Sequence, residues 1–190
     1  TYAAGQEVQP PTLETIARTG VIRLGYADRN IPFSYLGTGP EPIGYSIELC
    51  LKVVDSIREK LDLPGLKVDF VKRTPSNRIT LLNDGTIDME CVASTNTEER
   101  RKAVWFSYSH FITGTRYVAL KSSGLNTVAD LAGRTVVVTT GTINISQLNV
   151  LNRKLGLNIA VLQNDSTEGG FEMVTENRAS AFVMDDILLR

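Results

Sequence analysis

The sequence predicts an α/β fold on a mostly parallel sheet, divided into two lobes. Three observations predict it. Apolar patterns of period 2 alternate with patterns of period 3.6, as strands joined by crossover helices require. Two strand-to-helix junctions, at residues 93–100 and 139–143, carry the same device of hydroxyls and small residues. The strand–helix pattern then restarts near residue 117 with no linker rich in Gly, Pro or Ser before it, so the crossing reads as an extended hinge strand. The lobes are expected at 13–116 and 117–190, after a loose tail at 1–12.

The elements follow in order. Gly5, Pro10 and Pro11 leave residues 1–12 without periodicity. A short helix spans 13–19, and Val21-Ile22-Arg23-Leu24-Gly25-Tyr26 reads as a strand. After a turn-rich stretch at 36–43, Ile47, Cys50, Val54, Ile57 and Leu61 mark one face of a helix that Pro64-Gly65 ends. Leu66, Val68 and Phe70 alternate as a strand. Thr74-Pro75 looks like an N-cap with proline at the first helical position, opening a helix that runs to Gly85. Strands follow at 87–94 and 111–120, then a short helix at 126–132. The second half reads strand 134–140, helix 143–155, strand 159–163, helix 168–177 and strand 179–184. The chain stops at Arg190 with no closing helix, which reads as a truncated fragment.

Composition narrows the function. The 190 residues can bury one large core or two small ones. With 20 basic and 21 acidic residues and no basic block, a nucleic-acid surface is not expected. No apolar run reaches the roughly 20 residues of a membrane helix. No signal peptide is visible at Thr1, a start that fits a mature secreted chain and a cytosolic one alike. Cys50 and Cys91 lack metal-ligand spacing. They form one bridge or remain two buried thiols, and their apolar setting favours the thiols. His110, the sole histidine, has no nucleophile motif near it and reads as structural or exposed.

The binding chemistry gathers at strand ends, where parallel α/β sheets collect ligands. In Ala93-Ser94-Thr95-Asn96-Thr97-Glu98-Glu99-Arg100 a helix begins, with Asn96 and Glu99 at capping-box spacing. Thr139-Thr140-Gly141-Thr142-Ile143 repeats the device. Free N–H groups at a helix start suit a carboxylate, although hydroxyls there are ordinarily plain caps. Arg100 in a first helical turn opposes the helix dipole. It is either a surface cation paired with Glu98 or Glu99, or the bidentate partner of a bound carboxylate. Asp185-Asp186 ends a strand, where a carboxylate can hold an ammonium, cap a helix or bind a cation, and where paired acids can also be catalytic. Arg78, early in its helix, is by default solvated.

Together these residues resemble the type II periplasmic binding proteins of the polar amino-acid class, most closely the glutamate/aspartate-binding proteins. The resemblance is carried in order by Val21-Ile22-Arg23-Leu24-Gly25, Ile31-Pro32-Phe33-Ser34-Tyr35, Gly44-Tyr45-Ser46, Asn77-Arg78-Ile79, Asp88-Met89-Glu90-Cys91, Glu99-Arg100, Gly114-Thr115-Arg116, Asp130-Leu131-Ala132-Gly133 and Ala181-Phe182-Val183-Met184-Asp185-Asp186. It implies two lobes closing on one amino acid, incomplete at the C-terminus. Arg100 would clamp the α-carboxylate, with Thr95 and the Thr142–Ile143 backbone as donors. Asp185 would take the ammonium beside Asp186, and Arg78 would face the ligand side chain. Ala93, Ser94 and Thr167 complete the expected lining.

The resemblance also implies a periplasmic, extracytoplasmic protein that is not an enzyme, needs no cofactor and delivers a free amino acid to an ABC permease. Self-association is expected over the face that truncation uncovers. The rival readings are an amino-acid-sensing domain and a same-fold enzyme such as a dehydratase. Ala27, Pro75, Ala93 and Thr167 depart from the acidic-ligand pattern, and Arg29 is the candidate substitute at the first.

Overall fold

A computed structural model describes residues 11–190, so residues 1–10 of the expected tail lie outside it. Helix α1 (Thr12–Thr19) begins one residue before the expected start and ends on Gly20 in the left-handed region. Strand β1 (Val21–Tyr26) follows, and its buried Ile22 and Leu24 point into the core. Three short strands, β2 (Arg29–Asn30), β3 (Ser34–Leu36) and β4 (Pro42–Ile43), pair antiparallel, and of these only β4 and the last residue of β3 fall in the stretch read as turns. Each is too brief to show alternation in the sequence.

Helix α2 (Tyr45–Leu61) buries Ile47, Cys50 and Val54, the stripe that its spacing predicts. Strand β5 (Lys67–Lys72) and strand β6 (Met89–Glu90) flank β1, both parallel to it. Helix α3 (Arg78–Asn83) begins three residues later than Pro75 suggests. Thr74 Oγ1 does accept the Asn77 N–H at 3.3 Å, as an N-cap would. Asn77 Oδ1 returns the favour to the Thr74 N–H at 2.8 Å, which closes a turn ahead of the helix. Helix α4 (Glu98–Arg101) is capped by Thr97, whose hydroxyl accepts the Arg100 N–H at 3.2 Å. The expected cap at Asn96 is therefore displaced by one residue, and the Asn96 side chain instead accepts from Arg101.

The second sheet has the order β7–β10–β8–β9, from β7 (Thr115–Val118), β8 (Thr135–Thr139), β9 (Ala160–Asn164) and β10 (Ala181–Asp185). Only the β7–β10 pair is antiparallel. Helices α5 (Asn144–Leu155) and α6 (Thr167–Thr175) cover it. The helix expected at 126–132 is a 3-10 turn, Val128–Leu131, with a full capping box from Thr127 and Asp130. Strands expected at 87–94 and 111–120 pair over only 89–90 and 115–118. Their polar flanks instead line the space between the sheets.

The first core packs Ile16, Ile22, Leu24, Ile47 and Val54. The second sheet is buried on both faces, by Leu148 and Ile159 on one side and Met173 and Phe182 on the other. Valines 136–138 are fully buried, as a parallel strand covered twice requires. Phe33, from the first half, joins this second core beside Leu188. Cys50 and Cys91 form a disulfide that fastens α2 to the end of β6, which corrects the reading of two thiols. Apolar surroundings do not distinguish a buried bridge from buried thiols, so the sequence misleads here. Trp105, Tyr108 and Ile112 lie almost fully exposed, at 101%, 97% and 91%. Among the described residues no helix is long and apolar enough to cross a membrane.

Candidate functional site between the two sheets

The carboxyl ends of β1, β5, β6, β8 and β10 converge, as ligand-binding α/β sheets arrange them. Between them lies a cavity of about 30 Å³. It is lined by Arg78, Ala93, Thr95, Arg100, Thr142, Ile143, Thr167 and Asp185, drawn from both halves of the chain. A larger cavity of about 430 Å³ adjoins it and shares Ala93, Thr95, Ile143 and Asp185. The smaller space fits about one water, whereas small-molecule sites run to about 300 Å³ or more.

The two arginines converge on one carbonyl. Arg78 opens α3, is buried, and donates from Nη2 to Gly141 O at 2.8 Å. Arg100 donates from Nη1 to Thr95 O at 2.9 Å and from Nη2 to the same Gly141 O at 3.2 Å. Gly141 has φ +76°, and a Cβ there would come within 2.7 Å of Pro75 O. The halves thus meet backbone to backbone. Arg100 pairs with neither Glu98 nor Glu99; Glu99 is instead engaged by Lys102 at 2.7 Å. Burial lowers the Arg78 pKa to about 10, and the nearby Arg100 charge adds to the effect. Burial also lowers that of Arg100.

On the other side, Asp185 ends β10 and its Oδ1 accepts from Asn144 Nδ2 at 3.3 Å. Asn144 is held in turn by Thr115 Oγ1 at 3.1 Å. Thr142 donates its hydroxyl to Thr139 O at 2.7 Å, fixing the loop that carries Gly141. Two expected residues fall outside the smaller cavity. Ser94 turns its hydroxyl to Glu90 Oε1 at 3.0 Å and faces the larger cavity. Asp186 turns to Arg190 at 3.0 Å. Arg29 is exposed on β2 and does not reach the cavity, so it does not replace a cation at Ala27. His110 is exposed against Tyr45, ring centroids 5.4 Å apart.

Sequence reasoning missed Arg73 and Asn30, which also line the cavity. Arg73 leaves the carboxyl end of β5 and pairs with Glu90 at 2.6 Å, both side chains nearly buried. The strand-end rule applied to β5 would have found it. Arg73, Arg78 and Arg100 face two carboxylates, Glu90 and Asp185, so the enclosed charge is positive.

The sequence profile of the bacterial extracellular solute-binding proteins, family 3, matches residues 22–183. The chain belongs to this family. Family members similar to it include the L-glutamate/L-aspartate-binding protein of Pseudomonas aeruginosa, 46% identical over 181 residues. The glutamate/aspartate import solute-binding protein of Escherichia coli K12 is 38% identical over 178 residues. Each alignment takes in 94% of this chain, but the chain spans only 59% of the length of either relative. Among solved structures, holo ArgBP from T. maritima superposes with a TM-score of 0.80 at 26% identity, covering 93% of this chain and 74% of that one. The fold is thus the two-lobe architecture of type II binding proteins, and the match is partial in length.

Proposed function

We propose that this chain is the binding core of an extracytoplasmic receptor that captures a free L-amino acid for an ABC importer. The observation that carries the reading is the shared cavity. Arg100 from one half and Asp185 from the other line the same enclosed space. A zwitterion needs a cation with N–H donors at one end and an anion at the other. Arg100 offers the guanidinium, the Thr142–Ile143 backbone the donors, and Asp185 the carboxylate. The positive charge enclosed there favours an acidic ligand, and the names of the P. aeruginosa and E. coli relatives support glutamate or aspartate.

The proposed division into two lobes gives capture by hinge closure. Ligand binding favours the closed pair of lobes, and the importer's membrane permease engages that state. The Cys50–Cys91 disulfide supports a periplasmic setting, where such bridges persist. A thermal-shift screen of the twenty amino acids on the purified protein tests the reading. A ligand at 100 times its dissociation constant adds about 2.7 kcal/mol of stability. A screen in which no amino acid raises the unfolding midpoint overturns it.

A further inference from the structure

We infer that Arg73 is the specificity-determining residue of this cavity, receiving the side-chain carboxylate of an acidic amino acid. The inference rests on the amino-acid-binding reading above. Arg100 and Asp185 account for the two charges of the ligand's head. Arg73 and Glu90 neutralise each other, which leaves Arg78 without an acidic partner among the described residues. A ligand with one extra negative charge brings the enclosed charge to balance; a neutral side chain does not.

Arg73 is the group built to read that charge. Its side chain is 3% exposed and lines the cavity beside Pro75, Arg78 and Asn30. Glu90 grips Nη2 at 2.6 Å and is itself steadied by the Ser94 hydroxyl at 3.0 Å, so the planar fork is held in one orientation. Arg73 Nε is buried with no hydrogen-bond partner among the described residues, and Asn30 Oδ1 is equally unpartnered. Buried donors are rarely left so. A carboxylate oxygen at Nε satisfies the guanidinium, and a half-turn of the Asn30 amide offers its NH2 to the second oxygen. A carboxamide side chain brings no charge to this site.

Calorimetry on the purified protein with glutamate, aspartate, glutamine and asparagine tests the inference. The wild type should prefer the acids to the amides by about tenfold or more, the worth of a hydrogen bond to a charged group. The double variant Arg73→Met with Glu90→Gln removes the pair without stranding a buried charge. It should weaken the acids by about tenfold or more and leave the amides within about threefold. Arg73→Lys, which keeps the charge and loses the fork, should give an intermediate ratio. A double variant that binds acids as the wild type does, or loses acids and amides equally, overturns the assignment. So does an Arg73→Lys protein with the full wild-type ratio, which decides the matter if the double variant does not fold. A wild type that binds none of the twenty amino acids removes the underlying reading, and this inference with it.

Discussion

Arg100 and Asp185 line one enclosed space from the two halves of the chain, and each is half-buried. Removing one member of a desolvated charge pair with a ligand costs about 2–5 kcal/mol. Arg100→Met and Asp185→Asn should therefore each weaken amino-acid binding by about thirtyfold or more, seen as a raised dissociation constant in calorimetry. Asp186→Asn should change binding little, because that carboxylate is engaged by Arg190 at 3.0 Å. At this scale the ordered motifs pointed to Arg78, Arg100 and Asp185, which the structure gathers on one cavity, whereas the default of a solvated Arg78 is corrected by its burial. The sequence was silent on Arg73, which follows Lys72 in what looks like a solvated basic pair. Only the paired strands show that Lys72 turns outward to Asp28 while Arg73 turns inward to Glu90.

The elements were legible wherever a period was long enough to read. Helix α2 and strand β1 keep their expected apolar faces. Strands β2, β3 and β4 span two or three residues each, too few to show a period, and are fixed by pairing with one another. The 3-10 turn at Val128–Leu131 is held by one carboxylate. Asp130 Oδ2 accepts from the N–H groups of Asn126 and Thr127 at 2.9 and 2.7 Å. These backbone hydrogen bonds, with that of the Thr127 hydroxyl, lower its pKa below the usual value. A depressed carboxylate pKa stabilises the fold above the unfolded value and loses that effect as pH falls through the folded one. Asp130→Ala should thus lower the unfolding temperature at pH 7, and the gap from wild type should close below about pH 4. Equal gaps at both pH values in calorimetric scans would count against this.

Across the whole molecule, two devices fix how the parts stand. The Cys50–Cys91 bridge spans 41 residues and ties α2 to the end of β6, directly before Ala93-Ser94-Thr95. Closing a loop of that length stabilises by about 3–4 kcal/mol in the chain-entropy account. Reduced protein, or the Cys50→Ala and Cys91→Ala pair, should unfold at correspondingly lower denaturant. If the bridge also steadies the Thr95 segment, the same variant should bind amino acid more weakly; unchanged affinity would confine its role to stability.

The second device is the bare peptide at Gly141, pressed against Pro75 and holding both guanidiniums on its carbonyl. It behaves as a latch seated in a keeper with no clearance. Adding one methyl group inserts a wedge into that seat, and the left-handed backbone adds about 1 kcal/mol of strain for alanine. Gly141→Ala should leave the protein folded yet ajar, with a larger radius of gyration in X-ray scattering both with and without amino acid. A variant as compact as the wild type would show that the door shuts on something other than this contact.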